Sequence, residues 1–156
     1  MPLEIERKFL VKDTSFIKKS YKKKFIKQGF LNSNKNRVVR VRILDDKGYL
    51  TIKGITNSKG TTRYEWEKEI PINEAEQLLL LCEKNFIEKY RYLVKNNNHT
   101  FEVDMFLDKN KGLIIAEIEL NSEEEEFDKP RWIGDEVTGE KKYYNSCLSK
   151  VPYENW

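Results

Sequence analysis

The sequence predicts an α+β fold, mainly antiparallel β: a closed eight-stranded barrel with a charged interior and helices packed outside. Three observations lead there. Eight stretches alternate with a period of two, the mark of strands whose successive side chains face opposite ways. Most of these stretches carry charges at i and i+2 on one face and large apolar residues on the other. Two further stretches begin with capping-box pairs and so read as helices. Charged faces in water would need no shared register from strand to strand. An inward charged face explains both the repeated pairs and the apolar opposite faces, and eight strands suffice to enclose a ligand cavity.

Glu4–Val11 opens the chain, with Glu4, Glu6 and Lys8 on one face and Ile5, Phe9 and Val11 on the other. Asp13 caps a short helical or irregular piece through Ser20. The second strand, Phe25–Asn32, sets Gln28 and Phe30 on one face with Gly29 between them, and turn residues follow to Asn36. Arg37–Leu44 places Arg40 and Arg42 opposite Val39, Val41 and Ile43. After a turn at Asp45–Gly48, Tyr49–Gly54 sets Thr51 and Lys53 opposite Leu50 and Ile52. The Asn57–Gly60 loop leads to Thr62–Ile70, where Arg63, Glu65, Glu67 and Glu69 oppose Tyr64, Trp66 and Ile70.

Asn73 with Glu76 predicts a helix from Glu74 to about Lys84, its apolar face made by Ala75, Leu78, Leu79 and Cys82. Phe86–Val94 turns Lys89 and Arg91 away from Tyr90, Tyr92 and Val94. After a hairpin at Asn96–Asn98, Thr100–Leu107 presents Glu102 and Asp104, and Leu113–Leu120 presents Glu117 and Glu119. Ser122 with Glu125 predicts a short solvated helix ending near Pro130. The remaining tail holds Trp132, Val137, Tyr143 and Leu148, which predict one or two small helices against the barrel.

At 156 residues the chain is expected to form one domain across 1–156. Its 29 basic and 26 acidic residues nearly cancel, so no global field points to a nucleic-acid or membrane partner. Cys82 and Cys147 form no CxxC pair, and the single His99 excludes histidine-rich zinc sites and histidine triads. No apolar run is long enough to span a bilayer, and charged strand residues begin at once, so no signal peptide is expected and the location is expected to be cytoplasmic.

Pooled, the charged faces hold the cations Lys8, Arg40, Arg42, Lys53, Lys89 and Arg91, and the carboxylates Glu4, Glu6, Glu65, Glu67, Glu102, Asp104, Glu117 and Glu119. Burying so many charges is costly unless they neutralise one another and a polyanion with its metal. Arginine forks and lysine point charges suit linked phosphates. A histidine-free, all-oxygen donor set suits Mg2+ or Mn2+.

In this order the residues resemble the CYTH family of triphosphate tunnel metalloenzymes, and its short bacterial inorganic triphosphatases in particular. Glu4-Ile5-Glu6-Arg7-Lys8 is similar to the family's ExExK motif, Gln28-Gly29 to its QG, Arg40-Val41-Arg42 to RxR and Thr51-Ile52-Lys53 to TxK. Arg63, Glu65 and Glu67, then Lys89 and Arg91, Glu102 and Asp104, and Glu117-Ile118-Glu119 continue the series. In the tail, Gly134-Asp135-Glu136-Val137-Thr138 resembles the short triphosphatases' GxEVT. Two positions depart: Phe30 replaces the tyrosine that often follows QG, so no Lys8–tyrosine pair forms there, and Lys142 replaces the arginine before the tail tyrosine.

The resemblance implies an antiparallel tunnel that hydrolyses a triphosphate with Mg2+ or Mn2+. By matched position, Glu4, Glu6, Glu117 and Glu119 would hold metal. Lys8, Arg40, Arg42, Lys53, Lys89, Arg91 and Lys142 would bind phosphates, Lys89 would activate water with Lys8 as the other catalytic candidate, and Glu65, Glu67, Glu102 and Asp104 would tune or balance the site. Lys89 must lose a proton to act, which predicts an alkaline optimum. Inorganic triphosphate is the leading substrate. Thiamine or nucleoside triphosphate hydrolysis, adenylate cyclisation and a non-catalytic polyphosphate-binding module are the alternatives, and the oligomeric state stays open.

Overall fold

The alternation closes into a barrel. The computed structural model describes residues 2–156. Its strands are β1 (Leu3–Val11), β2 (Lys22–Asn32), β3 (Arg37–Leu44), β4 (Lys47–Gly54), β5 (Thr62–Ile70), β6 (Ile87–Asn96), β7 (His99–Phe106), β8 (Ile114–Glu119) and β9 (Ile133–Glu136). The first eight follow the order β5-β4-β3-β2-β6-β7-β8-β1, and β1 returns to β5 through Leu3 opposite Tyr64 and Glu4 opposite Arg63. These pairings are all antiparallel.

The outward faces are apolar and covered piece by piece, and one end of the interior is apolar as well. Phe9, Phe101, Ala116 and Ile118 pack with Phe16 of α1 (Phe16–Lys19) and with Trp132. Phe30, Ile87, Phe106 and Ile115 share the inward face with Gln28, Lys89, Asp104 and Glu117, and they close one end of the barrel interior against Val137, Tyr143 and Leu148 of the tail, where α3 (Asn145–Leu148) is the small helix expected there. Val41 packs under Ala75 and Leu79 of α2 (Ile72–Leu79). Each fully buried Phe or Leu contributes roughly 1.5–3 kcal/mol. Among the described residues no helix is long and apolar enough to cross a membrane.

Four local expectations are corrected. The helix α2 starts at Pro71, whose carbonyl accepts the Glu74 and Ala75 N–H groups, so Asn73 lies inside the first turn instead of capping it. It ends at Leu79 and does not reach Lys84, because the Glu83 N–H donates to the Phe30 carbonyl at 2.8 Å and draws the chain back to β2. The Ser122–Glu125 stretch is a turn without a helix. Its carboxylates hold loops: Glu123 accepts from the Thr61 and Thr62 hydroxyls at 2.6 and 2.8 Å, and Glu125 pairs with His99. Finally, β9 was not expected, and it extends the sheet at β1 through Val11 opposite Ile133.

Candidate functional site

Inside the barrel lies a cavity of about 170 Å³. That is below the ~300–1,000 Å³ of pockets for drug-sized organic ligands, and suits a small, highly charged one. Register sets some cations beside carboxylates on neighbouring strands and other carboxylates beside one another. Lys8 lies opposite Glu117 and Glu6 opposite Glu119 across β1 and β8. Lys53 lies opposite Glu65 across β4 and β5, and Arg91 opposite Asp104 across β6 and β7. Seven cations and seven carboxylates line the cavity: Lys8, Arg40, Arg42, Lys53, Arg63, Lys89 and Arg91 against Glu4, Glu6, Glu65, Glu67, Glu102, Glu117 and Glu119.

Two ion-paired groups hold this wall. In the first, the Lys53 ammonium sits 2.9 Å from Glu4 and 3.1 Å from Glu65, with the Arg63 guanidinium 3.6 Å from Glu4. In the second, Arg91 grips Asp104 with two bonds of 2.7 and 2.9 Å and reaches Glu102 at 3.2 Å, while Lys89 donates to Asp104 at 2.7 Å. Lys89 and Asp104 are both 1% exposed, so this is a desolvated charge cluster.

The electrostatics show like charges crowding. Burial, then Glu117 and Glu4, push the Glu6 carboxyl well above the usual range. Burial and Glu102 raise Glu119 as well. Burial raises Glu65 to about 7, aided by its hydrogen bond with Glu4. Burial opposes ionisation of Glu117 and Glu4 too, but Lys8 and Arg91 hold Glu117 low, and Lys53 holds Glu4 low. On the cationic side, burial with Arg40 and Arg91 lowers Arg42. Burial brings Lys89 down to about 7 against the pull of Asp104. Arg40 Nε is buried without a hydrogen-bond partner, an orphaned donor on the wall of an anion-sized cavity.

The expected site residues converge with two exceptions. Asp104 lies behind the lining, where it holds Lys89 and Arg91. Lys142 is exposed, and its ammonium stands 4.5 Å from the Trp156 ring centroid, outside the cavity. The Tyr143 ring, buried beside Trp156, turns the preceding residue outward. Among the described residues no three acidic, histidine or cysteine side chains form a gathered metal cluster. Glu4 is held by Lys53 and Arg63. The donor chemistry nonetheless fits a hard divalent cation, since Glu6 and Glu117 face each other as crowded carboxyls on an all-oxygen wall.

Sequence reasoning put Arg63 on the charged face without giving it a role, and left out Tyr144, Asn145 and Ser146; all four line the cavity. Arg63 shares the face of Glu65 and Glu67, so its parity was a usable signal. Tyr144, whose ring centroid lies 4.6 Å from the Lys8 ammonium, and Asn145 reach the barrel from an irregular tail with no periodicity to read.

The CYTH domain family model matches residues 2–152. A protein of Acetivibrio thermocellus described as an inorganic triphosphatase is 50% identical over 157 residues, covering 100% of this chain and 99% of that one. An inorganic triphosphatase of Nitrosomonas europaea is 33% identical over 94% of this chain and 96% of its own length. A crystal structure of an inorganic triphosphatase superposes with a TM-score of 0.66 at 30% identity, covering 96% of this chain and 95% of that one. With the family model spanning nearly the whole barrel and its tail, the chain belongs to the CYTH family.

Proposed function

We propose that the protein hydrolyses inorganic triphosphate to pyrophosphate and phosphate inside its barrel, assisted by Mg2+ or Mn2+. The observation that carries this reading is an enclosed cavity of about 170 Å³ lined by seven cations, one of them with an orphaned guanidinium N–H. Both curated relatives are described as inorganic triphosphatases, which supports the same substrate. With as many carboxylates as cations, the lining is near neutral. A polyphosphate therefore enters best with its own countercharge, and metal dependence follows.

Arg40, Arg42, Lys53 and Arg91 would bind the phosphate chain, with forked contacts from the arginines. Glu4, Glu6, Glu117 and Glu119 would hold the cation. When bound, it supplies Lewis-acid polarisation of phosphoryl oxygens. Lys89, neutral above about pH 7, accepts a proton from water as the water oxygen bonds to the terminal phosphorus. The bridging P–O bond breaks, the electron pair leaves on pyrophosphate, and the neighbouring guanidinium groups stabilise that charge. Lys8 stands near the attack region, its ammonium on the Tyr144 face, and binds phosphate there. Glu65, Glu67, Glu102 and Asp104 keep the cations in place. A small free substrate of this kind suits a cytoplasmic enzyme without a nucleic-acid or membrane partner.

A second reading has one observation in its favour. A cavity of about 290 Å³ beside the site, lined by Val38, Ile55, Tyr144 and Cys147 among others, offers room for an organic group on the triphosphate. A phosphate-release panel over tripolyphosphate, ATP and thiamine triphosphate, with and without Mg2+ or Mn2+, tests both. Metal-dependent release strongest on tripolyphosphate is expected. Preference for an organic triphosphate would favour the second reading, and binding without release would make the protein a polyphosphate-binding module.

A further inference from the structure

Lys89 is held by more than Asp104. Its ammonium also donates to Asn145 Oδ1 at 2.9 Å, and Asn145 comes from the start of α3 in the tail, outside the barrel strands. The same oxygen accepts from Gln28 Nε2 at 2.9 Å, and Gln28 Oε1 accepts from Arg42 Nε at 2.7 Å. Gln28 is fully buried.

The direction of every bond in this chain is forced. Arg42 Nε and the Lys89 ammonium can only donate. Gln28 must therefore turn its oxygen to Arg42 and its amide N–H to Asn145, and Asn145 must turn its oxygen to both donors. A flip of either amide would set donor against donor at a cation. The tail amide is thus locked as an acceptor for Lys89.

A protonated lysine has three N–H groups; one is donated to Asn145, and the Asp104 carboxylate stands 2.7 Å from the ammonium as its ion-pair partner. With the amine held on these two wall groups, its remaining capacity is left for the cavity that Lys89 helps to line. We infer that Asn145 is a positioning residue: it holds one amine hydrogen beside the Asp104 ion pair, so that the proton exchanged with water is one facing the tunnel. This rests on Lys89 acting as the base in the hydrolysis proposed above. When the amine is neutral, a hydrogen stays on Asn145 while Asp104 keeps its place beside the amine, and the lone pair faces the substrate water. No rotation is then needed at the moment of proton transfer.

The charged groups around the amine come from four strands: Asp104 of β7, Arg91 of β6, Arg42 of β3 and Glu117 of β8. Asn145 is the neutral member of this shell, and its neutrality matters. A carboxylate at 145 would add a second anion at hydrogen-bond distance and favour the ammonium.

The test is the pH dependence of kcat/KM and kcat for tripolyphosphate in wild type, Asn145→Asp and Asn145→Ala. In Asn145→Asp the acid limb is expected to move up by about one pH unit or more, roughly a tenfold or greater loss on the limb that is regained at higher pH. In Asn145→Ala the limb is expected to move down, because an acceptor for the ammonium is gone. Its plateau kcat is expected to fall about tenfold or more with KM little changed, because the lone pair is no longer aimed. Equal rate losses at every pH in both variants, or a rise in KM with kcat intact, would overturn the assignment. Since a buried carboxylate can unfold the tail, the wild-type chain supplies a second reading by NMR. The Asn145 side-chain amide signals are expected to titrate with the acid limb, and signals that stay still across it would overturn the assignment as well. Wild-type protein inert toward tripolyphosphate, or Lys89→Met with the wild-type limb, would instead remove the hydrolytic reading and the inference with it.

Discussion

Asp104→Asn removes one negative charge from a point where two cations depend on it. Asp104 receives Arg91 through bonds of 2.7 and 2.9 Å and Lys89 at 2.7 Å, and it is 1% exposed. Removing one partner of a buried ion pair costs about 3–5 kcal/mol, because the charges left behind stay desolvated. Asparagine keeps the shape and one acceptor, so the low end, about 3 kcal/mol, applies. For a chain of this size that is about 6–12 °C in Tm. The carboxyl of Asp104 resists burial but is held below its usual range by Arg91 and Lys89. Its contribution is therefore complete above the unfolded value near ~3.9 and is lost as pH falls through the lowered folded value. Wild type and variant should differ fully at pH 7 and converge in acid. Activity should shift in the same experiment: Asp104 is the main charge raising Lys89 against burial, so its loss moves the acid limb of kcat/KM below its starting point near pH 7. Urea melts across pH together with pH–rate profiles check both. Equal stability at pH 7 with an unmoved limb would refute the reasoning.

Three further outcomes are expected. Lys89 holds about 7 in the folded chain against ~10.4 unfolded, so the unfolded state binds more protons between these values and wild-type stability rises with pH across that window. Lys89→Met, measured by urea melts from pH 6 to 10, should lack that rise, and parallel curves would remove Lys89 as a buried neutral amine. Glu4→Gln and Glu119→Gln should nearly abolish turnover and lose any rise in Tm on adding Mn2+, and full activity in both would end the metal assignment. Arg40→Ala should raise KM for tripolyphosphate about tenfold or more through a lost charge-assisted contact, whereas Lys142→Ala, outside the cavity, should leave KM within about twofold.

The barrel and most of its interior were legible because a strand's facing is a local property. Once Arg40 and Arg42 lie on one face of β3, closure of the sheet carries both inward, and the same holds for Glu117 and Glu119 on β8. Depth along the barrel is not local. Glu102 and Asp104 share a face of β7, yet only Glu102 lines the cavity, since Asp104 is drawn under Arg91 and Lys89. The tail was legible only as apolar anchors. Tyr143 and Leu148 are buried as expected, but their packing decides that Asn145 enters the site and Lys142 leaves it. A four-residue strand such as β9, with one buried apolar residue, shows no period at all. At Ser122 the Glu125 carboxylate does reach back to a backbone N–H, that of Asn121, but Glu123 is drawn to the Asn57–Thr62 loop and Glu125 also to His99, and no helix follows.

Following tripolyphosphate by phosphorus NMR with wild-type protein, with and without Mn2+, tests the tunnel as a hydrolytic site most directly. A triphosphate held by the arginines and cut at its end should yield one pyrophosphate and one phosphate per molecule, only with metal, and Lys89→Met should leave the substrate intact. Turnover that needs no metal, or a substrate signal unchanged by wild-type protein with Mn2+ present, would contradict it.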